Sequence, residues 1–404
     1  MSHANVSIEI SRYGLPSPPF AATRVPVAFL FSLVLPIHLI IFLVPPFLFF
    51  LLQMKDKSKL SPERETEDAL SADFVLLRDQ LEKEGFFKPN LGHVALRIAE
   101  LLSMHAAGFW LLFNAMPVLG LLTLGIAQGR CGWFMHEGGH HSLTGNIPVD
   151  HAIQVFFYGA GCGMSGAFWR NQHNKHHATP QKIGHDVDLD TLPLVMFHMS
   201  VKDGKQGHML KSPLMRAWIG LQGYLFAPLS CLVIALGWQW YLHPRHSLRI
   251  KNWGELGSMA LRYAVAAYCT INTPYTALQG FLGYLFYVWV GSAYIFCNFA
   301  VSHTHLPVIQ DDEDVSWVRY SSDHTMNVAP GPANWVNWWM SYLNYQIEHH
   351  LFPSMPQFRM PEVSPRVREL FEKHGVEYKE MSYTGAMKVT FANLDKVGKD
   401  TWYG

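Results

Sequence analysis

The chain has 404 residues, of which 49% are hydrophobic, 14% aromatic and only 15% charged, and its 31 basic and 31 acidic side chains cancel at neutral pH. Zero net charge, with no Lys/Arg run interleaved with aromatics, excludes a nucleic-acid partner, and five cysteines without CxxC spacing, at 131, 162, 231, 269 and 297, exclude a disulfide framework. So low a charged fraction leaves long uncharged stretches, and the sequence reads as an all-α integral membrane protein.

Residues 1–92 form an N-terminal region. Its uncharged stretch, 25–53, is interrupted by Pro36, Pro45 and Pro46, so it is expected to kink or to make a shallow hairpin. That stretch runs well past the length of a signal-peptide core, so no cleavable signal is expected. Residues 54–92 read as a water-facing connector with an amphipathic helix around Phe74–Lys83. Two hydrophobic helices, 94–113 and 118–135, are expected next, joined by a turn at Asn114-Ala-Met-Pro117. A first histidine box, His136-Glu-Gly-Gly-His140-His141, follows at once.

The apolar, Gly-rich stretch 152–169 is too short to cross a bilayer alone and is expected to be interfacial or re-entrant. It contains Gly161-Cys-Gly-Met-Ser-Gly166, the spelling of a dinucleotide-binding turn, and Asp186 even lies twenty residues on. No βαβ pattern surrounds it, so these small residues are expected to allow close helix packing instead. The polar stretch 170–212 carries the second box, His173-Asn-Lys-His176-His177, and the acidic run Asp186-Val-Asp-Leu-Asp190. Three apolar stretches, 217–242, 256–275 and 278–301, precede the third box, Gln346-Ile-Glu-His349-His350, and 376–404 reads as a polar C-terminal tail.

Spacing turns the boxes into a metal site. Helical residues three and four apart share a face, so His136 with His140, His173 with His176 and His177, and Gln346 with His349 and His350 each offer one side to a common centre. Eight of the 22 histidines lie in these boxes, more than the four ligands of a structural zinc site. Two metals is the simpler count, and iron is the natural choice where oxygen chemistry is wanted. Boxes that share one centre must lie on one side of the membrane, so an even number of crossings separates each pair. One of the three stretches between boxes two and three therefore does not cross. The loop 243–251 carries Arg245, Arg249 and Lys251 and is expected on the cytoplasmic side, which makes 256–275 and 278–301 the crossing hairpin and leaves 217–242 in the membrane without traversing it.

The three boxes in this order resemble those of the membrane fatty acid desaturases. Gln346-Ile-Glu-His349-His350 followed by Leu-Phe-Pro353 resembles the front-end subgroup, whose third box begins with glutamine. The likeness runs from about residue 70 to 375 and takes in Gly132-Trp-Phe-Met-His136, Trp169-Arg-Asn-Gln-His173, Asp188-Leu-Asp-Thr-Leu-Pro193, Lys251-Asn-Trp-Gly-Glu-Leu256 and Trp338-Trp-Met-Ser-Tyr-Leu-Asn-Tyr345. Two features depart from that subgroup: these residues contain no His-Pro-Gly-Gly motif of a fused cytochrome b5 domain, and box one ends in a double histidine.

The resemblance implies four core transmembrane helices in two hairpins, under a cytoplasmic helical cap that holds a di-metal site, with residues 93–375 as the desaturase domain. It implies two iron ions, O2 as co-substrate, electrons from a separate cytochrome b5 and its reductase, and an acyl lipid or acyl-CoA substrate at the endoplasmic reticulum membrane. Its metal residues are His136, His140, His173, His176, His177, His349 and His350, with His303, in Val301-Ser-His303-Thr-His305, as a further ligand. His141 is either a ligand or a neighbour of the site, and Gln346 binds a metal, holds a water or orients its neighbours. Glu137, Glu348 and the Asp186–Asp190 run are candidates to orient the rings. The acyl channel is expected along the aromatics of 335–345 and the ends of the spans. The alternative within enzymes is a sphingolipid or fatty acyl desaturase of other regioselectivity, or a hydroxylase, since hydroxylation shares the first hydrogen abstraction. A metal transporter or receptor would place ionisable groups inside its spans, whereas 278–301 has neither a charge nor a histidine.

Overall fold

The computed structural model describes residues 62–189, 191–310 and 315–403, and the stretch 25–53 lies outside them. Helix α1 (Pro62–Glu84) occupies the expected connector. It packs against the third-box region: Leu70, Phe74 and Leu81 are buried in one cluster with Ile347, Leu351, Val363, Val367 and Phe371. Helices α2 (Leu91–Phe113) and α3 (Pro117–Gly139) form the first expected pair. Asn90 caps the first through its side chain, and Pro117 begins the second where its missing N–H costs no hydrogen bond.

Helix α4 (Ile147–Cys162) ends at Gly163, whose φ of 75° is open to glycine and strained for other residues. The GxGxxG spelling is therefore a corner between helices, and a Cβ on Gly161 would run into Cys131, the close packing expected of these small residues. Ser165 caps helix α5 (Gly166–Ala178), and Glu255 accepts from both the Ser165 hydroxyl and the Ala167 N–H to fix that corner. Helices α6 (Pro213–Gly220), α7 (Gln222–Arg249), α8 (Trp253–Ile271) and α9 (Ala277–Ala300) follow. Within α7 the hydrogen-bond ladder widens to π turns over Phe226–Ser230 and Trp238–Leu242, at or beside Pro228 and Pro244, which cannot donate.

Among the described residues four helices are long and apolar enough to cross a membrane: α2, α3, α7 and α9. This set differs from the expected one. Helix α8 falls short because it carries Glu255 and Arg262, both buried, whereas α7 qualifies on length and composition. Both ends of α7 nevertheless meet elements at the level of the boxes, while between them the Ala227 carbonyl accepts from Trp289 and the Gln239 amide oxygen from the Tyr284 hydroxyl, deeper along α9. The Gln222 amide donates to the carbonyls of Met196 and Leu394, Cys231 packs in one cluster with Ala300, and the His243 ring accepts from the Ser165 N–H.

Polar and small residues stitch the helices together. Arg262 on α8 donates to Gln128 on α3, to the Gly161 carbonyl and to the Tyr284 and Tyr287 hydroxyls. Helices α3 and α9 approach closely because a Cβ on Gly125 or Gly129 would run into Val290 or Tyr294. Arg130, fully buried, pairs with Glu100 at 2.8 Å and donates to the Trp338 carbonyl, which anchors the chain ahead of box three.

Further elements complete the fold: α10 (Trp317–Asp323), α11 (Trp335–Trp339), α12 (Gln346–Leu351), α13 (Met360–Lys373) and α14 (Tyr383–Tyr403), with strands β1 (Asn327–Val328) and β2 (Glu380–Met381) paired in parallel. The segment read as a polar tail is mostly α14, and it packs. Ala386 is buried with Val328 and Met340, and Leu394 and Val397 with Ile219 and Phe226. Its apolar positions recur at helical spacing, a signal diluted by the many polar residues of the other face.

Candidate metal centre

Box one sits at the end of α3, where His136 occupies the last turn and His140 the cap, their ring centroids 4.8 Å apart. Box two lies on α5 and divides its histidines. His173 and His177 turn towards box one, whereas His176, one residue round the helix, turns the other way. Box three on α12 divides likewise, because adjacent helical residues diverge by about 100°. His349 joins His136, His140, His173 and His177, while His350 joins His176 and His303, which follows the end of α9. Within each group, one potential ligand atom from every residue lies within 4.8 Å of the rest. The groups adjoin, with the His177 and His350 rings stacked at 4.2 Å.

Eight of the ten expected residues thus fall into two groups. Gln346, the ninth, is buried and shares a cavity wall with His176 and His303 of the three-histidine group. His141, the tenth, belongs to neither. Its φ of 60° turns the chain after His140, and its ring packs against His151 at 4.7 Å.

The donor set fits metal ions on an observation independent of motif. Buried polar atoms almost always find a hydrogen-bond partner. Here His136 Nε2, His140 Nε2, His177 Nδ1 and both ring nitrogens of His349 and His350 are buried without one. Burial, reinforced by neighbouring imidazoles, holds the His140 and His303 rings down to about 3, and it holds His173, His177, His349 and His350 well below the ordinary imidazole value. Neutral imidazole is the form that binds a metal. The buried clusters of histidine with aspartate resemble a di-iron binding motif.

His176 is the exception. Burial lowers its pKa, but the Asp186 carboxylate outweighs this and raises it to about 9. Asp186, buried, accepts from His176 Nδ1 at 3.1 Å and from the backbone N–H groups of Gln181 and Asp188. His176 Nε2 is thereby left to face its group, the usual carboxylate–histidine–metal arrangement. His303 Nδ1 donates to the His324 carbonyl at 3.1 Å with the same effect.

Of the other acidic candidates, Asp188 is exposed and lies 3.7 Å from His176 Nδ1. Glu348 is held by other partners. It accepts from Asn327 and Tyr378 at 2.7 and 2.6 Å, and although these bonds oppose it, burial raises its pKa to about 7. Its work is to fasten α12 to β1. Glu137 accepts the Gln357 N–H, and the Gln357 amide lies 2.9 Å from His136 Nδ1. Sequence reading missed Gln357, Gln181, Asn327 and Tyr378. Each stands outside the boxes, and only proximity in space marks it.

A cavity of about 470 Å³ opens beside the histidines. His136, His173, His176, His303 and Gln346 form part of its wall, and the apolar remainder includes Phe197, Phe226, Ile234, Trp238, Phe296 and Phe299. The aromatics of 335–345 do not line it, contrary to expectation. Arg130 lies over the Trp338 ring at 4.4 Å and Trp339 meets Tyr294 edge-on at 4.3 Å, so they brace the chain that carries box three. The wall comes instead from α7, α9 and the loop around Phe197.

Residues 96–382 match the family model described as fatty acid desaturase. Among curated proteins, an acyl-lipid (8-3)-desaturase of Rebecca salina is 58% identical over 328 residues, covering 81% of this chain and 75% of that protein. An acyl-lipid (8-3)-desaturase of Thraustochytrium sp is 47% identical over 350 residues, covering 83% and 76%.

Proposed function

The chain belongs to the fatty acid desaturase family, and from that premise we propose that it uses O2 and two iron ions to place a cis double bond in a long, polyunsaturated acyl chain, with front-end regioselectivity. Oxidoreductase activity of the desaturase type follows from the family itself. The observation that carries the finer reading is the pair of buried imidazole groups, with unpartnered nitrogens, on the wall of an apolar cavity.

His136, His140, His173, His177 and His349 would hold one ion, and His176, His303 and His350, with Gln346 beside them, the other. Iron with O2, when bound, supplies an oxidant strong enough for an unactivated methylene, which no side chain can do. The protein positions and shields. Asp186 and the His324 carbonyl hold two rings with Nδ1 protonated. Phe296, Phe299 and Trp238 offer an acyl chain an apolar wall and exclude water from the histidines.

The two relatives are named for acyl-lipid substrates, and we assign this chain the same carrier. Electrons come from cytochrome b5 and its reductase. The protein spans the endoplasmic reticulum membrane with α2–α3 and α8–α9 as crossing hairpins, the site on the cytoplasmic side and α7 along the interface. The contacts of both ends of α7 with box-level elements support this, as do Arg245, Arg249 and Lys251 near the corner that opens box two. Residues 93–375 form the catalytic domain.

The test is to purify the full chain, measure its metal and follow oxygen uptake with reduced cytochrome b5 and an acyl lipid, then locate any new double bond by mass spectrometry. Iron, oxygen uptake and an unsaturated product are expected. Zinc alone, iron without oxygen uptake, or a hydroxylated product overturns the proposal.

A further inference from the structure

His136 has an outer partner unlike those of the other histidines. Its Nε2 is buried and unpartnered, while its Nδ1 lies 2.9 Å from the side-chain amide of Gln357. Gln357 is buried at the start of the single turn Gln357–Arg359, beyond box three, and its backbone N–H donates to Glu137 at 3.1 Å. Two consecutive residues of box one thus hold one residue of a distant loop, one by its side chain and one by its backbone.

As placed, the amide turns its NH2 to His136 and leaves its oxygen buried with no partner. A neutral imidazole has one proton. If Nδ1 accepted from the amide, that proton would sit on Nε2, and the ring would offer an N–H, not a lone pair, to its group. Half a turn of the amide exchanges two atoms of nearly equal size. Its oxygen then accepts from Nδ1–H, the orphaned acceptor gains a donor, and Nε2 is free to ligate.

We propose that Gln357 is a positioning residue for His136, its carboxamide oxygen fixing the tautomer and ring angle in which Nε2 binds metal. This rests on the di-iron reading above. The arrangement couples box one to the loop after box three, so the two ends of the desaturase domain complete one ligand together.

The experiment loads the purified full chain with iron, challenges it with a chelator, and counts retained iron alongside a Mössbauer spectrum. Gln357→Met keeps the side-chain length but is only a weak acceptor; Gln357→Glu accepts and cannot donate. Wild type and Gln357→Glu should keep both ions. Gln357→Met should lose one ion about 10–100-fold more readily, with only one spectral component altered. In a His136→Ala background, Gln357→Met should add nothing, because the two share one effect.

Gln357→Met holding both ions like wild type, Gln357→Glu losing one, or an added loss in the His136→Ala background overturns the proposal. Should Gln357→Met fail to fold, the comparison of Gln357→Glu with wild type still decides. A wild-type chain that takes up no iron defeats the di-iron reading instead, before any variant is compared.

Discussion

Behind the three-histidine group stand a buried carboxylate, Asp186, and a backbone carbonyl, that of His324; behind the five-histidine group stands one uncharged amide, Gln357. A carboxylate on the far nitrogen makes an imidazole a stronger donor. The smaller group therefore sets stronger outer support against fewer imidazoles, and the larger one relies on number. Ligand count alone would have ranked the two positions differently.

His176→Ala should break the comparison hardest, since it removes one of three imidazoles together with the ring that Asp186 supports. Product should vanish and iron fall to about one ion per chain, while the protein still inserts; turnover with both ions retained would remove His176 from the ligand set. His349→Ala should also abolish product but leave four imidazoles in its group, so metal analysis should find more iron than in His176→Ala.

Asp186→Asn keeps the shape and discards the charge. Iron affinity at the three-histidine position should drop about 10–100-fold, read by chelator competition, and an unchanged affinity would mean that the carboxylate only braces the Gln181 loop. His141→Ala should change iron content and product by about twofold or less, because that ring lies outside both groups; loss of an ion would bring it in. The smallest effect is expected for Cys131→Ser, which removes a buried thiol from the α3 packing. Turnover assay should find product intact, at about 1 kcal/mol of stability.

The two halves of the site differed in how legible they were. Imidazoles that face one way from a single helix were readable, because helical geometry fixes which residues share a face. The division of boxes two and three between two groups was not. It depends on how α5 and α12 are rotated against α3, which packing settles. The same holds for Asp186, flagged only as one of an acidic run, and for Gln357, which no spacing rule joins to His136. The aromatics of 335–345 were misplaced because an aromatic-rich stretch does not say what its rings will pack against. Helices α1 and α14 read as connector and tail because their polar faces outweigh in composition the apolar faces that join the core.

By itself the sequence determined the membrane class, the first helical pair and the three boxes, since these follow from length, charge and helical period. The tertiary structure decided which histidines share a group, what stands behind each ring and which helices wall the cavity. Those features depend on contacts between residues as far apart as His136 and Gln357, and a local period carries no information about which distant surfaces will meet.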